Sequence, residues 1–137
     1  MNSSKVNLLA VLVAAIVYMI IGALWYGPLF SEPWMKLVGM TAEQAQEGAS
    51  PLIYLVPFAG AFIGFYVLAL FINAANMGTP SGGATVGLLA GLGFLATFAG
   101  VNYVFSMRPL QLFLIDIGYP VLSLVIAGAI LGAWRKK

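Results

Sequence analysis

The residue best suited to chemistry in this chain is Asp116, the one formally charged side chain inside its long apolar segments. An ionised carboxylate at the centre of a membrane helix costs on the order of 2.5–3.5 kcal/mol on insertion scales, so it should face protein or water. Pro120 follows four residues later and has no N–H, which leaves the backbone carbonyl of Asp116 without its helical partner. A carboxylate and a free carbonyl on one turn could together hold a proton or a cation.

Two neighbouring helices are needed to complete a site around this acid. Asn102 lies six residues before Arg108 and Asp116 lies eight after it, so antiparallel helices would bring both to a similar depth, roughly 9–12 Å from the turn. We therefore expect the Asn102 amide to donate to the Asp116 carboxylate. Tyr119, three residues beyond Asp116, shares its helical face.

Aromatic residues of the first two helices fall at the same end of the chain's predicted bundle. The candidate binding site consists of the acid and the polar and aromatic residues near it: Asp116, Asn102, Tyr119, Tyr54, Trp25 and Tyr26. Two interpretations stay open. In one, Asp116 binds a proton or cation at the bottom of an outward cavity; in the other, it is hydrogen-bonded and fixes helix register.

Composition places the chain in a membrane. Of 137 residues, 62% are hydrophobic and 7% are charged, whereas soluble domains have roughly a quarter of their residues charged. Cysteine and histidine are absent from the sequence, which removes disulfides, thiol chemistry and the usual zinc or haem ligands. We expect no metal and no cofactor. The basic tail 135–137 is typical of a helix end at the cytoplasmic leaflet, and we expect no nucleic-acid partner.

Hydropathy predicts an all-α integral membrane protein, a single domain over 1–137 with four transmembrane helices. Each predicted span is long enough to cross a hydrocarbon core of about 30 Å; the spans cover residues 6–26, 51–75, 81–107 and 109–134. A signal peptide is the competing interpretation of the first span. Its apolar run is longer than a signal peptide requires, and it ends in LWYGP instead of a small-residue cleavage site.

Residues 29–48 leave the hydrocarbon without becoming a featureless loop. Apolar side chains share one face of a short predicted helix: Phe30, Trp34, Leu37 and Val38. This pattern is typical of an amphipathic segment in the membrane interface, and the alternative is that the segment plugs the end of the bundle. Thr41 with Gln44 forms a capping-box pattern that predicts a second short helix over 42–47.

Small residues recur at the four-residue spacing that lets membrane helices approach closely. They occur in the second and third spans: Gly60 and Gly64, then Gly83, Gly87 and Gly91. We expect these positions to be helix contacts and the protein to be a homo-oligomer held by such faces. The sequence does not say which helix or subunit each glycine contacts.

The cations set an expected orientation. With four spans, Lys5 and residues 135–137 lie on one side, and Lys36 and Arg108 lie on the other. Because cytoplasmic loops carry an excess of Lys and Arg, both termini should be cytoplasmic. We expect the protein to lie in the cell's inner membrane.

Four segments of the sequence form a signature: GALWYGPLF over 22–30 with Trp34, NLLAV over 7–11, Gly118-Tyr119 and GAILG over 128–132. In these segments the chain resembles the "domain of unknown function 1761" family of small membrane proteins. This resemblance implies a four-helix membrane protein. It implies no activity, because the family has no established one.

Three function classes follow from these observations. The first is a small transporter or channel subunit that uses Asp116 as its proton or cation site. The second is a non-catalytic scaffold that binds a lipid or a partner membrane protein. An intramembrane enzyme ranks last, since the chain has no His, no Cys and no paired acids for acid–base catalysis.

Overall fold

Four long apolar helices dominate the computed structural model, which describes residues 5–48 and 50–135. They cover Leu8–Leu29, Pro51–Ala74, Pro80–Phe105 and Leu110–Ala133, with mean hydropathies of 2.7, 2.3, 1.9 and 2.1. All regular elements in the described ranges are helical. The predicted all-α architecture with four membrane-spanning helices is confirmed.

The first span changes its winding before it ends. Its regular part, α1 (Leu8–Leu24), is capped by Asn7, whose Oδ1 accepts the Leu9 and Ala10 N–H groups at 3.0 and 3.3 Å. A π-helical turn, Trp25–Leu29, follows; within it Gly27 has a non-helical backbone (φ −98°, ψ −105°). Pro28 comes directly after, so the chain leaves the bundle axis here.

Two short helices connect the first span to the second. Helix α2 (Ser31–Val38) ends at Gly39, whose φ of 73° lies in the left-handed region that favours glycine. Helix α3 (Ala42–Glu47) begins with the predicted capping box, in which Thr41 and Gln44 each bond the other's backbone N–H. A 3₁₀ turn, Pro51–Tyr54, then leads into α4 (Leu55–Ala74).

The third span is likewise interrupted by a π-helical segment. It consists of α5 (Pro80–Ala90), the π segment Gly91–Ala96 and α6 (Thr97–Phe105). The fourth span is the single helix α7 (Leu110–Ala133), which contains Pro120.

Glycines bring α5 and α7 into backbone contact. A Cβ on Gly83 would collide with the Gly128 carbonyl, and one on Gly87 would collide with the Leu124 carbonyl. A Cβ on Gly91 would lie 3.2–3.3 Å from Val121. These three positions therefore pack inside the chain, against the fourth span, and their surfaces are not free for a second subunit.

The contact expected at Gly60 and Gly64 is not made within a single copy of the chain and stays a prediction. A Cβ at either position would meet no atom of the described residues within 4 Å apart from the nearby backbone of its own helix. This face of α4 is open because the core of the bundle forms on the other side of the helix. There α1, α4 and α7 meet through small and aliphatic side chains, among them Ala14, Ala69 and Ala127.

Candidate functional site

The Asp116 carboxylate receives three hydrogen bonds from three different elements. Its Oδ1 accepts the Tyr26 hydroxyl and the Trp34 Nε1–H, both at 2.9 Å. Its Oδ2 accepts the Tyr103 hydroxyl at 2.5 Å. The acid thus faces protein, as predicted, and joins α7 to the first π turn, to α2 and to α6. All three donors are neutral, and a carboxylate has about four acceptor positions.

The first π turn explains how two consecutive aromatic residues reach α7. The Trp25 Nε1–H donates to the Ile115 carbonyl at 2.8 Å, while Tyr26 donates to the next residue, Asp116. π turns are rare and occur frequently at functional sites. The carbonyl that Trp25 uses belongs to Ile115, one residue before the carbonyl that Pro120 leaves free.

The predicted hydrogen bond from Asn102 to Asp116 is wrong, because the neighbouring Tyr103 reaches the carboxylate instead. The side chain of Asn102 is exposed, and its backbone carbonyl accepts the Ser106 hydroxyl at 2.7 Å. Counting residues from the turn gave the correct depth. It did not give the correct helical face, since the face of α6 depends on the preceding π segment.

Arg108 lies on the far side of Tyr103. Its guanidinium carbon is 4.1 Å from the centre of the Tyr103 ring, a cation–π contact. Its Nε–H donates to the Ser106 hydroxyl at 3.0 Å. Arg108 therefore contacts the tyrosine whose hydroxyl donates to Asp116, and it interacts with the carboxylate indirectly, through Tyr103.

Tyr119 is buried beside this network and does not contact the carboxylate by a hydrogen bond. Its hydroxyl donates to the Tyr18 carbonyl at 2.6 Å, and the two rings stack at 4.6 Å. It also packs edge-on against Tyr26, with ring centres 5.7 Å apart. Glycines make this possible: a Cβ on Gly22 would lie 2.9 Å from the Tyr119 ring, and one on Gly118 would lie 2.8 Å from Trp25.

A cavity of about 630 Å³ opens between the first and second spans. It is lined by small, apolar and aromatic residues: Met19, Gly22, Ala23, Tyr26, Gly27, Tyr54, Pro57 and Tyr119. Asp116 is not part of the lining. Tyr26 belongs to both the cavity wall and the carboxylate network, so it connects the two.

The structure thus groups most of the predicted site residues. Asp116, Trp25, Tyr26 and Tyr119 lie together, Tyr54 lies across the cavity, and Asn102 lies outside. Sequence reasoning missed three residues of the site: Tyr18, Trp34 and Tyr103. Trp34 did carry a signal, since it stood on the apolar face of the predicted 29–48 helix. Among the described residues, no group of three or more His, Cys, Asp or Glu side chains could hold a metal ion.

A family model described as "Protein of unknown function (DUF1761)" matches residues 9–132, which is most of the chain. The chain belongs to the DUF1761 family. No curated protein matches it, and no solved structure does. The function of this DUF1761 protein must therefore be argued from its own site.

The run that suggested the family is also the run that builds the site of this DUF1761 protein. In WYGPLF, Trp25 and Tyr26 bond Ile115 and Asp116, and Gly27 supplies the non-helical backbone. Trp34 then closes the network from α2. Residues of the sequence signature thus belong to the carboxylate network, and they connect the end of the first span and α2 to α7.

Proposed function

We propose that this protein is a non-catalytic membrane binding protein that holds an amphipathic ligand, such as a lipid, in the cavity between its first and second spans. The cavity itself carries this proposal. Its volume of about 630 Å³ falls within the range of about 300–1,000 Å³ that is usual for small-ligand sites. Its lining is apolar apart from the hydroxyls of Tyr26, Tyr54 and Tyr119, which is the composition such sites share.

The carboxylate network supports binding over transport. A coupling acid needs access to the transported ion, whereas Asp116 is engaged by three donors and is absent from the cavity lining. Its role in this proposal is to hold the wall in place, because Tyr26 is both a wall residue and a donor to Asp116. This is the register-fixing role that the sequence left open.

One observation favours a second candidate, a transporter or channel subunit with Asp116 as its proton or cation site. Tyr26 separates the carboxylate from the cavity, so rotation of this one side chain would connect them. An acid within a membrane span is generally taken to mark a functional site. Such a protein would need oligomerisation, and because Gly83 and Gly87 are occupied by α7, a second copy would use another face, such as that of Gly60 and Gly64.

Filling the cavity should weaken ligand binding strongly. Ala23→Phe places a ring in the space lined by Ala23, Tyr54 and Pro57, and we expect its affinity for a long-chain alcohol to fall at least ten-fold. The measurement is native mass spectrometry of the purified protein in detergent with added hexadecanol. Ala59→Phe is the matched control, because Ala59 is exposed and outside the lining. Unchanged binding to the Ala23 variant would rule out this cavity as the site.

We further propose that the protein lies in the inner membrane, with both termini cytoplasmic and 29–48 facing outward. The distribution of cations supports this orientation. Gln46→Cys and Ala75→Cys place thiols in a chain that has none, at exposed positions on opposite ends of the second span. In intact spheroplasts an impermeant maleimide should label position 46 and spare position 75, and permeabilisation should allow labelling at both. Labelling at position 75 alone would reverse the orientation.

A further inference from the structure

Two of the three cavity tyrosines have already used their hydroxyl protons. The Tyr26 hydroxyl donates to Asp116 Oδ1 at 2.9 Å, and the Tyr119 hydroxyl donates to the Tyr18 carbonyl at 2.6 Å. A tyrosine hydroxyl has one proton and can also accept. Toward a bound molecule these two residues therefore offer lone pairs and no proton.

Asp116, which accepts the Tyr26 hydroxyl, makes the Tyr26 oxygen a stronger acceptor toward a ligand. A hydroxyl that donates to a carboxylate is polarised, and its oxygen becomes a better acceptor, since hydrogen bonds in a chain reinforce one another. An anionic group has no proton to donate, so the lone pair of the Tyr26 oxygen offers it no hydrogen bond. The nearby cation, Arg108, contacts the ring of Tyr103 and is not part of the cavity lining, so it does not supply a donor to a ligand there.

The position of these groups orients the ligand. Tyr26 and Tyr54 stand at the end of the first span and the start of the second, where the bundle meets the interface. Met19 lies seven residues earlier on the first span, roughly 10 Å deeper at 1.5 Å per residue. An amphipathic molecule would thus place its polar end at Tyr26 and its hydrocarbon toward Met19 and Tyr119.

We infer that the cavity selects lipids whose polar end donates a hydrogen bond, in particular an uncharged hydroxyl as in a long-chain alcohol or an acylglycerol. Ethers and esters without a hydroxyl lack the required proton, and so does an ionised phosphate diester. This inference rests on the proposed binding function and specifies its ligand class.

A matched pair of probes tests the selection without any mutation. Hexadecanol and hexadecyl methyl ether have the same hydrocarbon chain and the same oxygen. In the ether, a methyl group replaces the hydroxyl proton. We expect the wild-type protein to bind the alcohol about ten-fold more tightly, in line with one hydrogen bond to a polarised acceptor. Equal affinities would overturn the inference while leaving the binding function standing. Failure to bind either probe would overturn both.

Two variants locate the selection at Tyr26. Tyr26→Phe removes the accepting oxygen, so we expect this variant to bind the alcohol and the ether with about equal affinity. Tyr103→Phe also deletes a hydrogen bond to Asp116 but lies outside the cavity lining, so it should keep the preference. Loss of the preference in both variants to the same extent would overturn the assignment to Tyr26. The hydroxyl of Tyr54 has no partner among the described residues, so Tyr54→Phe should sharpen the preference.

Discussion

Replacing Gly87 with alanine should destabilise the protein by about 1–3 kcal/mol, the usual range for overpacking a tight interface. The added methyl group would collide with the backbone carbonyl of Leu124 on α7. A backbone atom cannot move aside as a flexible side chain can, so α5 and α7 must separate along their length. The contact between these two helices is the most extensive in the bundle, and its loss would affect the whole fold.

The measurement is thermal unfolding in a mild detergent, monitored by circular dichroism. Gly60→Ala is the matched control, because it makes the same chemical change on a membrane helix where no described atom lies within 4 Å of the new methyl group. We expect the control to unfold like the wild type. If Gly87→Ala matches it, the close packing of α5 on α7 is incorrect.

The second large effect is expected for Asp116→Ala. The substitution leaves the Tyr26, Trp34 and Tyr103 donors without their acceptor, and a buried donor without a partner costs about 1–3 kcal/mol. Because the network is only partly buried, we expect a total loss on the order of 3 kcal/mol, near the lower limit for three donors. Helix α2 should detach first, since it is short and Trp34 is its hydrogen-bonded link to α7.

Hydrogen–deuterium exchange reports this detachment directly. Amides of Ser31–Val38 should exchange faster in Asp116→Ala, whereas Glu43→Ala, which removes an exposed acid on α3, should leave them unchanged. If the α2 amides of Asp116→Ala exchange at the wild-type rate, the carboxylate does not hold α2 in place.

Asp116→Asn separates the two candidate functions. The amide keeps one acceptor oxygen and removes the titrating group, so a carboxylate that only fixes the wall should tolerate it with a small loss of stability. A coupling acid would instead lose proton, sodium or potassium flux in reconstituted vesicles while the fold survives. If neither the wild type nor Asp116→Asn carries a flux of protons, sodium or potassium in reconstituted vesicles, the transport function is excluded.

The sequence predicted the helices well because their cause is local. About 20 apolar residues in a row indicate a membrane span whatever the neighbouring helices do, and Gly27-Pro28 and the Thr41 capping box act within a few residues. The glycines of α5 were expected at a helix contact, and they lie against α7. Their partner could not be identified, since several helices had small residues at matching spacing.

The partners of Asp116 were harder to predict for a different reason. Which side chain of α6 faces α7 depends on the winding of Gly91–Ala96, and an apolar sequence shows no sign of a π segment. Counting along an ideal helix therefore identified Asn102 where Tyr103 reaches the acid. Trp34 was placed on the correct face of α2, but its contact with α7 depends on how the π turn directs the chain away from the first span.

The separation of Tyr26 and Asp116 along the chain, 90 residues, also constrains the order of events during synthesis. Asp116 lies C-terminal to Tyr26, Trp34 and Tyr103, so it is synthesised after all three of its donors. When the fourth helix packs into the bundle, these donors offset part of the cost of placing an acid in the hydrocarbon. A nascent chain arrested after the third helix would present three donors without their acceptor at this end of the bundle.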